Sequence, residues 1–265
     1  MVLHYQTDPV QLADLVVLTQ ETIRAVSHQH ALKALFLPKI HPAEAGNGLH
    51  LHLSFHNAAG RGGKEVQPTS GRGGSTSAFS STDVGFRSDR GRSFLEGILD
   101  HLGGLLGVTM PTANSFRRMG PGCWTGSTAE WGAEDKEAAL RVCSSFTRKD
   151  LEHDDDWQHV EYKLNDGSAN IYLSLAGILT CGLEGIERRI ELRPSRCENQ
   201  SRGIQGTALP ESIEQSLDRL EGDGLLMTLL GPTLSRSYLA LRRAEAKRAS
   251  TMSLADEVAE ALARA

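Results

Sequence analysis

The sequence predicts an α+β fold. Segments in which apolar and polar residues alternate, as in strands, are mixed along the chain with segments of helical spacing, and no regular strand–helix–strand repeat appears. This order of elements argues against a doubly wound parallel sheet. The chain has 265 residues, of which 39% are hydrophobic and 23% charged, values that are ordinary for one large globular domain or two small ones.

Composition argues against several classes of protein. A formal net charge of −5 disfavours an electrostatic nucleic-acid binder, which would carry a basic surface. The four cysteines are widely spaced and form no Cys-x-x-Cys pair, so neither a zinc clamp nor a disulfide framework is expected, and a reducing compartment is favoured. No apolar run reaches the length of a membrane span, and the N-terminus has no apolar leader segment. We therefore expect a cytoplasmic protein with no nucleic-acid partner and no membrane partner.

The first third of the chain predicts a helix, a short strand and a long loop. Asp8 followed by Pro9 is a typical helix start, and apolar residues at helical spacing predict one amphipathic helix over residues 9–29. Residues 34–37 are a short strand candidate that ends at the next proline. Residues 57–91 are rich in glycine, serine, arginine and threonine. We interpret them as a mobile loop, because their glycine-rich runs lack the strand–loop–helix context of a phosphate-binding loop.

The middle of the chain predicts two helices with a strand between them. Apolar residues from Phe94 to Leu106 recur at helical spacing, and the turn-forming residues 111–115 end that helix. Residues 157–164 alternate as a strand. Ser168 stands where it would cap the long apolar helix that follows.

The last part of the chain predicts a polar link followed by helices. The link spans about residues 190–208, and three helical segments follow from Pro210, the last of them beginning at Pro232. We predict one domain over residues 1–249, with the glycine-rich loop inserted in it. Residues 250–265 are predicted to form a helical or frayed tail.

A histidine-rich strand is the most informative stretch of the sequence. Successive side chains of a strand point to opposite faces, so one face from Leu49 onwards would be apolar and the other polar. The residues of the polar face are His50, His52, Ser54 and His56. Imidazoles held rigidly on a strand suit a metal or phosphate site, and Gly46 and Gly48 would let another group approach the backbone. The alternative is an ordinary half-buried strand with a solvated polar face.

A second strand offers a matching set of polar side chains, namely His159, Glu161 and Lys163. If the two polar faces are aligned, an imidazole and a carboxylate could share a hard cation such as Mg²⁺ or Mn²⁺. Further cations follow one another in the chain, and together with a metal they would stabilise phosphoryl transfer. These cations are Arg117, Arg118, Lys136 and Arg141. Taken singly, each of them is also compatible with an ordinary solvated helix surface.

Three motifs resemble the glutamine synthetase family. Residues 39–54 (Lys-x5-Ala-Gly-Asn-Gly-Leu-His-x3-Ser) are similar to its ATP-region signature, with Ile40 where the family usually has proline. Residues 114–122 (Asn-Ser-Phe-Arg-Arg-Met-Gly-Pro-Gly) are similar to its Asn-Ser-Tyr-x-Arg-x-x-Pro-Gly stretch. Residues 160–173 resemble its Glu-x-Arg…Ala-Asn-Pro-Tyr-Leu block. The likeness covers roughly residues 5–249, apart from the glycine-rich loop.

The resemblance implies a guanidino-kinase-like α+β catalytic domain, in which a mixed antiparallel sheet packs against helices. It also implies the use of ATP with Mg²⁺ or Mn²⁺: the γ-carboxylate of glutamate or a related acid is phosphorylated and then attacked by ammonia or an amine. Family members carry an N-terminal β-grasp domain with metal-binding glutamates before the region that matches this chain. The resemblance therefore implies a partial, N-terminally truncated catalytic domain and, in a full-length form, a homo-oligomer.

Carried over position by position, the resemblance implies a role for each matching residue. His50 and Glu161 would bind the metal. The nucleotide would contact His52, Ser54, Lys136 and Arg141. The acid substrate would contact Gly46, Arg118 and Lys163, while Arg118 and Lys136 would act in catalysis. Both lysines stand where the family has arginine, so the charge is kept but the bidentate fork is lost.

Trp124 marks a departure from the family. It stands six residues after Arg118, where the resemblance places a flexible-loop glutamate that shields the site and takes a proton from ammonium. Without that carboxylate ammonium loses a counter-charge and a general base, and an indole ring would suit a bulkier amine. In this respect the chain resembles the branch that includes fungal FluG and plant nodulin-fusion proteins.

Two other interpretations remain open on the sequence. The first is a catalytically inactive nucleotide-binding or regulatory relative. It is supported by the departures from the family pattern, namely Trp124, Lys136, Lys163 and the missing glutamates. The second is a metal-dependent hydrolase or a cupin-like oxygenase built on His50-x-His52, which would require further ligands in another arrangement.

Overall fold

A four-stranded mixed sheet packed against helices forms the described part of the protein. The computed structural model describes residues 1–54, 88–120, 123–144 and 157–264. The strands are β1 (Leu51–Leu53), β2 (Trp131–Ala133), β3 (Leu140–Ser144) and β4 (Trp157–Tyr162). Their order in the sheet is β1-β4-β3-β2; β4 is antiparallel to both of its neighbours, and β2 runs parallel to β3. The predicted α+β fold is confirmed.

The helices of the described residues follow the same chain order. They are α1 (Pro9–Gln29), α2 (Asp89–Thr109), α3 (Ala113–Phe116), α4 (Ile171–Arg188), α5 (Arg196–Ser201), α6 (Ile213–Gly222), α7 (Gly224–Ala249) and α8 (Leu254–Arg264). Within the residues the structure describes, no helix is both long and apolar enough to cross a membrane.

Helix α2 is the centre of the hydrophobic core. Its side chains are buried around most of its circumference, because α4 and α6 pack against it. The backbones of α2 and α4 approach closely at two facing glycines. A Cβ on Gly97 would lie 2.2 Å from the Cys181 carbonyl oxygen, and one on Gly185 would lie 2.1 Å from the Ser93 carbonyl oxygen. Only glycine allows the two backbones to come this close.

Two helix starts agree with the sequence. Helix α1 has the predicted bounds, with Asp8 as its N-cap accepting a hydrogen bond of 2.8 Å from the Val10 amide. Within α7 the backbone breaks at Gly231, whose φ is +69°, so a helical segment begins at Pro232 as predicted.

Two predicted elements of the first half are wrong in place or extent. Residues 34–37 form no strand; just after them, the Lys39 amide donates to the side chain of Asn114 rather than to a neighbouring strand. The predicted loop 57–91 ends too late, because Ser88 caps α2 and residues 89–91 are already helical. The rest of that loop, residues 57–87, lies outside the described residues.

Two boundaries in the second half are also corrected. Asn170, not Ser168, caps α4, because its side-chain oxygen accepts from the Tyr172 and Leu173 amides. Ser168 bonds to Asp166 instead. The predicted polar link 190–208 contains α5, which Ser195 and Glu198 start as a reciprocal capping box.

The C-terminal tail is helical in this structure. Residues 254–264 form α8, and the side chain of Lys33 donates a 2.6 Å hydrogen bond to the Leu262 carbonyl of that helix. The division into a domain over residues 1–249 and a separate tail stays a prediction.

Candidate active site

A row of charged and polar side chains crosses the sheet. Strand pairing sets His52 of β1 opposite Glu161 of β4, and Arg141 of β3 opposite the same glutamate on its other side. Directly paired residues of neighbouring strands share a face of the sheet. The alternating patterns of the two histidine-bearing segments therefore bring their polar faces together, while Leu51 and Val160 on the opposite face are buried.

Glu161 is the hub of this row. Its Oε1 lies 2.8 Å from the Nδ1 of His50, and its Oε2 accepts a 3.3 Å hydrogen bond from the Nη1 of Arg141. Arg141 also forms an ion pair with Glu134 through Nη2. Glu161 is only 8% exposed, so its carboxylate is largely shielded from water and contacts an imidazole and a guanidinium.

The electrostatics keep Glu161 ionised. Burial alone would raise its pKa, but the hydrogen bond with His50 and the electrostatic attraction to His50 and Lys163 outweigh burial and lower the pKa to about 2. The carboxylate is therefore negative at any physiological pH, which is the form that a cation requires.

A pair of neutral imidazoles stands beside the glutamate. The rings of His52 and His159 lie 4.9 Å apart between centroids, and burial is the main cause that lowers the pKa of each below 6.5. Both rings are therefore neutral near pH 7 and can donate and accept hydrogen bonds. Ser54, two residues after His52, is exposed. His56, also predicted on this face, lies outside the described residues.

Arg118 lies in a buried position at the end of α3, only 3% exposed. Its Nη2 donates hydrogen bonds of 2.9 Å to the carbonyls of Lys163 and Asn165, and its Nε is 3.9 Å from the Oδ2 of Asp166. Burial lowers the pKa of Arg118, but no neutral form is relevant at physiological pH. The sequence did not predict that backbone carbonyls would hold this guanidinium.

The two glycines before β1 let side chains of the candidate site approach the backbone closely. A Cβ on Gly46 would lie 2.6 Å from the Cβ of Arg118, and one on Gly48 would lie 2.5 Å from the Nε2 of His50. A side chain at either position would push the arginine or the imidazole away. The structure therefore brings Gly46, Gly48, His50 and Arg118 into one neighbourhood.

The two lysines predicted in the site lie next to each other. Lys163 is 2% exposed, and its ammonium donates to the carbonyl of Lys136; burial is the main cause that lowers the pKa of Lys163. The Lys136 ammonium is 5.4 Å from the centre of the Trp124 ring, a cation–π distance. Trp124 is 60% exposed, and its φ of +58° is an uncommon backbone conformation for a bulky residue.

His50 and Glu161 fit a divalent ion as two of its ligands. Neighbouring ligands of an octahedral Mg²⁺, each about 2.1 Å from the ion, lie about 3 Å apart. The facing Nδ1 and Oε1 atoms are 2.8 Å apart through a shared proton, and a bound cation would take the place of that proton at about the same ligand spacing. Across the described residues no group of three or more His, Cys, Asp or Glu side chains could hold a metal. The pair therefore offers part of a coordination shell, and the described residues do not supply the larger ligand set that a hydrolase or oxygenase site would require.

Sequence reasoning missed some neighbours of the site. Glu134, which pairs with Arg141, follows the short strand β2 and carries no periodic signal. Asp166 is buried beneath Arg118, and only its position after the predicted strand 157–164 could have indicated it.

The model of one known protein family matches nearly the whole chain. Residues 2–260 match the family model described as "Glutamine synthetase, catalytic domain". This match confirms the resemblance that the three sequence motifs predicted.

Curated relatives give the same picture. The γ-glutamylpolyamine synthetase GlnA3 of Streptomyces coelicolor is 34% identical over 90% of this chain and 48% of its own length. The glutamine synthetase of Pyrococcus horikoshii is 30% identical over 90% of this chain and 49% of its own length. Protein fluG of Emericella nidulans is 29% identical over 92% of this chain and 25% of its own length. The chain thus spans half or less of the length of these relatives.

Solved structures share the fold. One described as a GmaS/ADP complex has a TM-score of 0.72 and 27% identity, covering 93% of this chain and 53% of that chain. Another, described as a novel glutamine synthase homolog, has a TM-score of 0.69 and 31% identity, covering 92% of this chain and 51% of that chain.

Proposed function

Because the chain belongs to the glutamine synthetase family, we propose that it is the catalytic-domain portion of an ATP- and divalent-metal-dependent carbon–nitrogen ligase. In this proposal the γ-carboxylate of glutamate or a related acid is phosphorylated and then joined to ammonia or an amine. The observation that carries the proposal is the convergence of His50, Glu161 and Arg141 on one face of the sheet.

The metal-binding part of the proposal rests on His50 and Glu161. Mg²⁺ or Mn²⁺, when bound, would neutralise negative charge on the nucleotide phosphates. Glu161 contributes a permanent negative charge and His50 an imidazole nitrogen 2.8 Å from it. Arg141 holds the second oxygen of the carboxylate, so the orientation of Oε1 towards His50 is fixed before any ligand binds.

The nucleotide side is assigned to His52, Ser54, Arg141 and Lys136. His52 on β1 and Arg141 on β3 lie on either side of Glu161 in β4, and Ser54 directly follows β1. These three can therefore contact phosphate or ribose oxygens beside the metal pair. Arg141 offers a planar fork that suits phosphate oxygens. Lys136 is exposed and supplies a point charge without that fork.

The acid side is assigned to Gly46, Arg118 and Lys163. Arg118 has Gly46 packed against its Cβ and two backbone carbonyls on its Nη2, so the guanidinium is rigid. A rigid cation next to an exposed glycine backbone suits the recognition of a carboxylate. Lys163 adds positive charge nearby, and for Arg118 and Lys136 we also propose the catalytic roles implied by the family.

The amine acceptor is proposed to be larger than ammonia. Trp124 already receives a cation, the Lys136 ammonium, on its ring, which supports binding of an organic ammonium at the same surface. The relative GlnA3 is named a γ-glutamylpolyamine synthetase, and this name supports an amine acceptor in the present chain. We further propose a cytoplasmic location, consistent with four free thiols, and a homo-oligomer in the full-length form.

The test is an assay of product formation by the full-length protein with ATP, Mg²⁺, glutamate and a panel of amines. Mass spectrometry of a γ-glutamyl amide, together with ATP-dependent release of phosphate, would support the ligase. The matched control is Glu161→Gln, which keeps the size of the side chain and removes its charge. Calorimetric binding of ATP without any amide product would instead support the inactive nucleotide-binding relative.

A further inference from the structure

Helix α8 sends one buried side chain towards α3. Glu257 has a side chain that is 8% exposed, although no residue of α8 is buried as a whole. Its carboxylate accepts hydrogen bonds from Arg117, at 2.8 Å from Nη2 and 3.0 Å from Nε, and from the Nδ2 of Asn114 at 2.7 Å. A carboxylate with this many charged and polar donors is rigidly placed.

Asn114 connects Glu257 to a second segment of the chain. Its Oδ1 accepts a 2.8 Å hydrogen bond from the Lys39 amide, and its Nδ2 donates a 2.9 Å bond to the Lys39 carbonyl. The other hydrogen of the same Nδ2 is available for Glu257, so both donors and the acceptor of the amide are used. Asn114 is 4% exposed, and a buried amide in such a network has one orientation.

The segment that Asn114 holds leads directly to the acid-binding end of the site. The Asn47 amide donates a 2.7 Å hydrogen bond to the Pro38 carbonyl, which closes residues 38–47 into a loop. Gly46 of this loop packs against Arg118, which follows α3 four residues after Asn114. One side chain therefore fixes both halves of the Gly46–Arg118 contact.

Other contacts attach α8 at different points. Lys33 bonds to the Leu262 carbonyl, and Glu260 pairs with Arg248 of α7. These contacts hold the helix without touching α3 or the loop of residues 38–47. A substitution of Glu257 would therefore leave these attachments of α8 in place.

We infer that Glu257 is a positioning residue: it fixes the orientation of Asn114 and thereby sets the Gly46 loop against Arg118. The kinetic part of this inference rests on the proposed ligase function, in which that contact receives the acid substrate. The structural part, which concerns the orientation of Asn114 and the position of the Gly46 loop, does not depend on that function. Loss of Glu257 should loosen residues 38–48 while the helices and the sheet stay folded, because the amide of Asn114 would lose one of its partners and Arg117 its counter-charge.

The experiment compares Glu257→Ala and Glu257→Gln with the control Glu260→Gln in the full-length protein. Hydrogen exchange read by mass spectrometry should rise about tenfold at residues 38–48 in Glu257→Ala, less in Glu257→Gln, and not in Glu260→Gln. The KM for the acid should rise about tenfold in Glu257→Ala, with the KM for ATP changed less than twofold and partial rescue in Glu257→Gln. Melting curves would report whether each variant is folded.

The outcomes separate this inference from the ligase proposal. Raised exchange at residues 38–48 in a protein without ligase activity would support the positioning role and contradict the proposed function. Unchanged exchange at those residues in folded Glu257→Ala would overturn the inference, as would an equal response in Glu260→Gln. Global unfolding of Glu257→Ala with a fully folded and unaltered Glu257→Gln would also overturn it, because the charge would then have no local role.

Discussion

His101 of α2 and Asp223 at the start of α7 are joined by a 2.6 Å hydrogen bond between Nδ1 and Oδ2. The Nε2 of the same imidazole is 3.6 Å from a carboxylate oxygen of Glu184 on α4, so one histidine connects three helices. Asp223 also caps α7 by accepting from the Leu225 and Leu226 amides. The hydrogen bond with Asp223 is the main cause that raises the pKa of His101 above 6.5.

Because of this contact, the free energy of unfolding should fall as the pH rises. A group with a raised pKa in the folded state contributes fully below its unfolded pKa of 6.5, and the contribution is lost as the pH rises through the folded value. The variant His101→Gln should lose about 1–2 kcal/mol of unfolding free energy near pH 6 and less near pH 8.5. Urea unfolding at both pH values measures the difference. The exposed His4→Gln is the control, and equal losses at the two pH values would contradict the prediction.

The glycine contact between α2 and α4 predicts a strong effect on stability. In Gly185→Ala the added methyl would lie 2.1 Å from the Ser93 carbonyl oxygen, and because backbone atoms line the contact the helices must separate. We expect a loss of about 3 kcal/mol or more in unfolding free energy. In the control Gly224→Ala the new Cβ would meet no atom of the described residues within 4 Å, so its stability should change by about 0.5 kcal/mol or less. Chemical unfolding of both variants tests the comparison.

Glu161 should be more important for activity than Glu134, although both pair with Arg141. Only Glu161 also meets His50, at 2.8 Å, so Glu161→Gln should reduce kcat/KM by about 100-fold and weaken Mg²⁺ or Mn²⁺ binding. Glu134→Gln, in which Arg141 keeps its bond to Glu161, should change kcat/KM by less than about tenfold. Steady-state kinetics over a series of metal concentrations measure both effects. Equal losses in the two variants would mean that the arginine, rather than the metal pair, explains the effect.

Trp124 should control the choice of amine. A carboxylate in its place would supply a counter-charge and a base for ammonium, so Trp124→Glu should raise the ratio of ammonia use to organic-amine use by about tenfold or more. Trp124→Phe keeps an aromatic ring at the same φ of +58° and should keep the preference for the organic amine. Product ratios from competition between ammonia and an amine give the measurement. If Trp124→Phe changed the ratio as much as Trp124→Glu did, aromatic binding of the amine would be excluded.

Alternating and helical patterns predicted the elements that carry the site. The His50–Ser54 alternation and the strand at residues 157–164 correspond to β1 and β4, because a sheet buried on one face imposes a period of two on its residues. The strands β2 and β3 were not predicted. They have three and five residues, and their pairing partners hold them more than any local preference does.

Long-range contacts explain the rest of what the sequence could not predict. The sequence placed Arg118 among the cations, but its attachment to the carbonyls of residues 163 and 165 joins positions more than 40 apart in the chain. Local chemistry explains the two corrected caps. Ser168 is engaged by Asp166, which leaves Asn170 to start α4, and the capping box of Ser195 and Glu198 was present in a stretch interpreted as a link.

The solvent-facing indole of Trp124 gives the protein an optical reporter. The chain has three tryptophans, so the reporter requires the variant Trp157→Phe. In that variant Trp131 is buried, and a change of polarity or charge around the exposed Trp124 ring would appear in fluorescence emission against the background from Trp131. A ligand that displaces the Lys136 ammonium from the ring would alter that emission, so occupancy could be titrated without a label or a coupled enzyme.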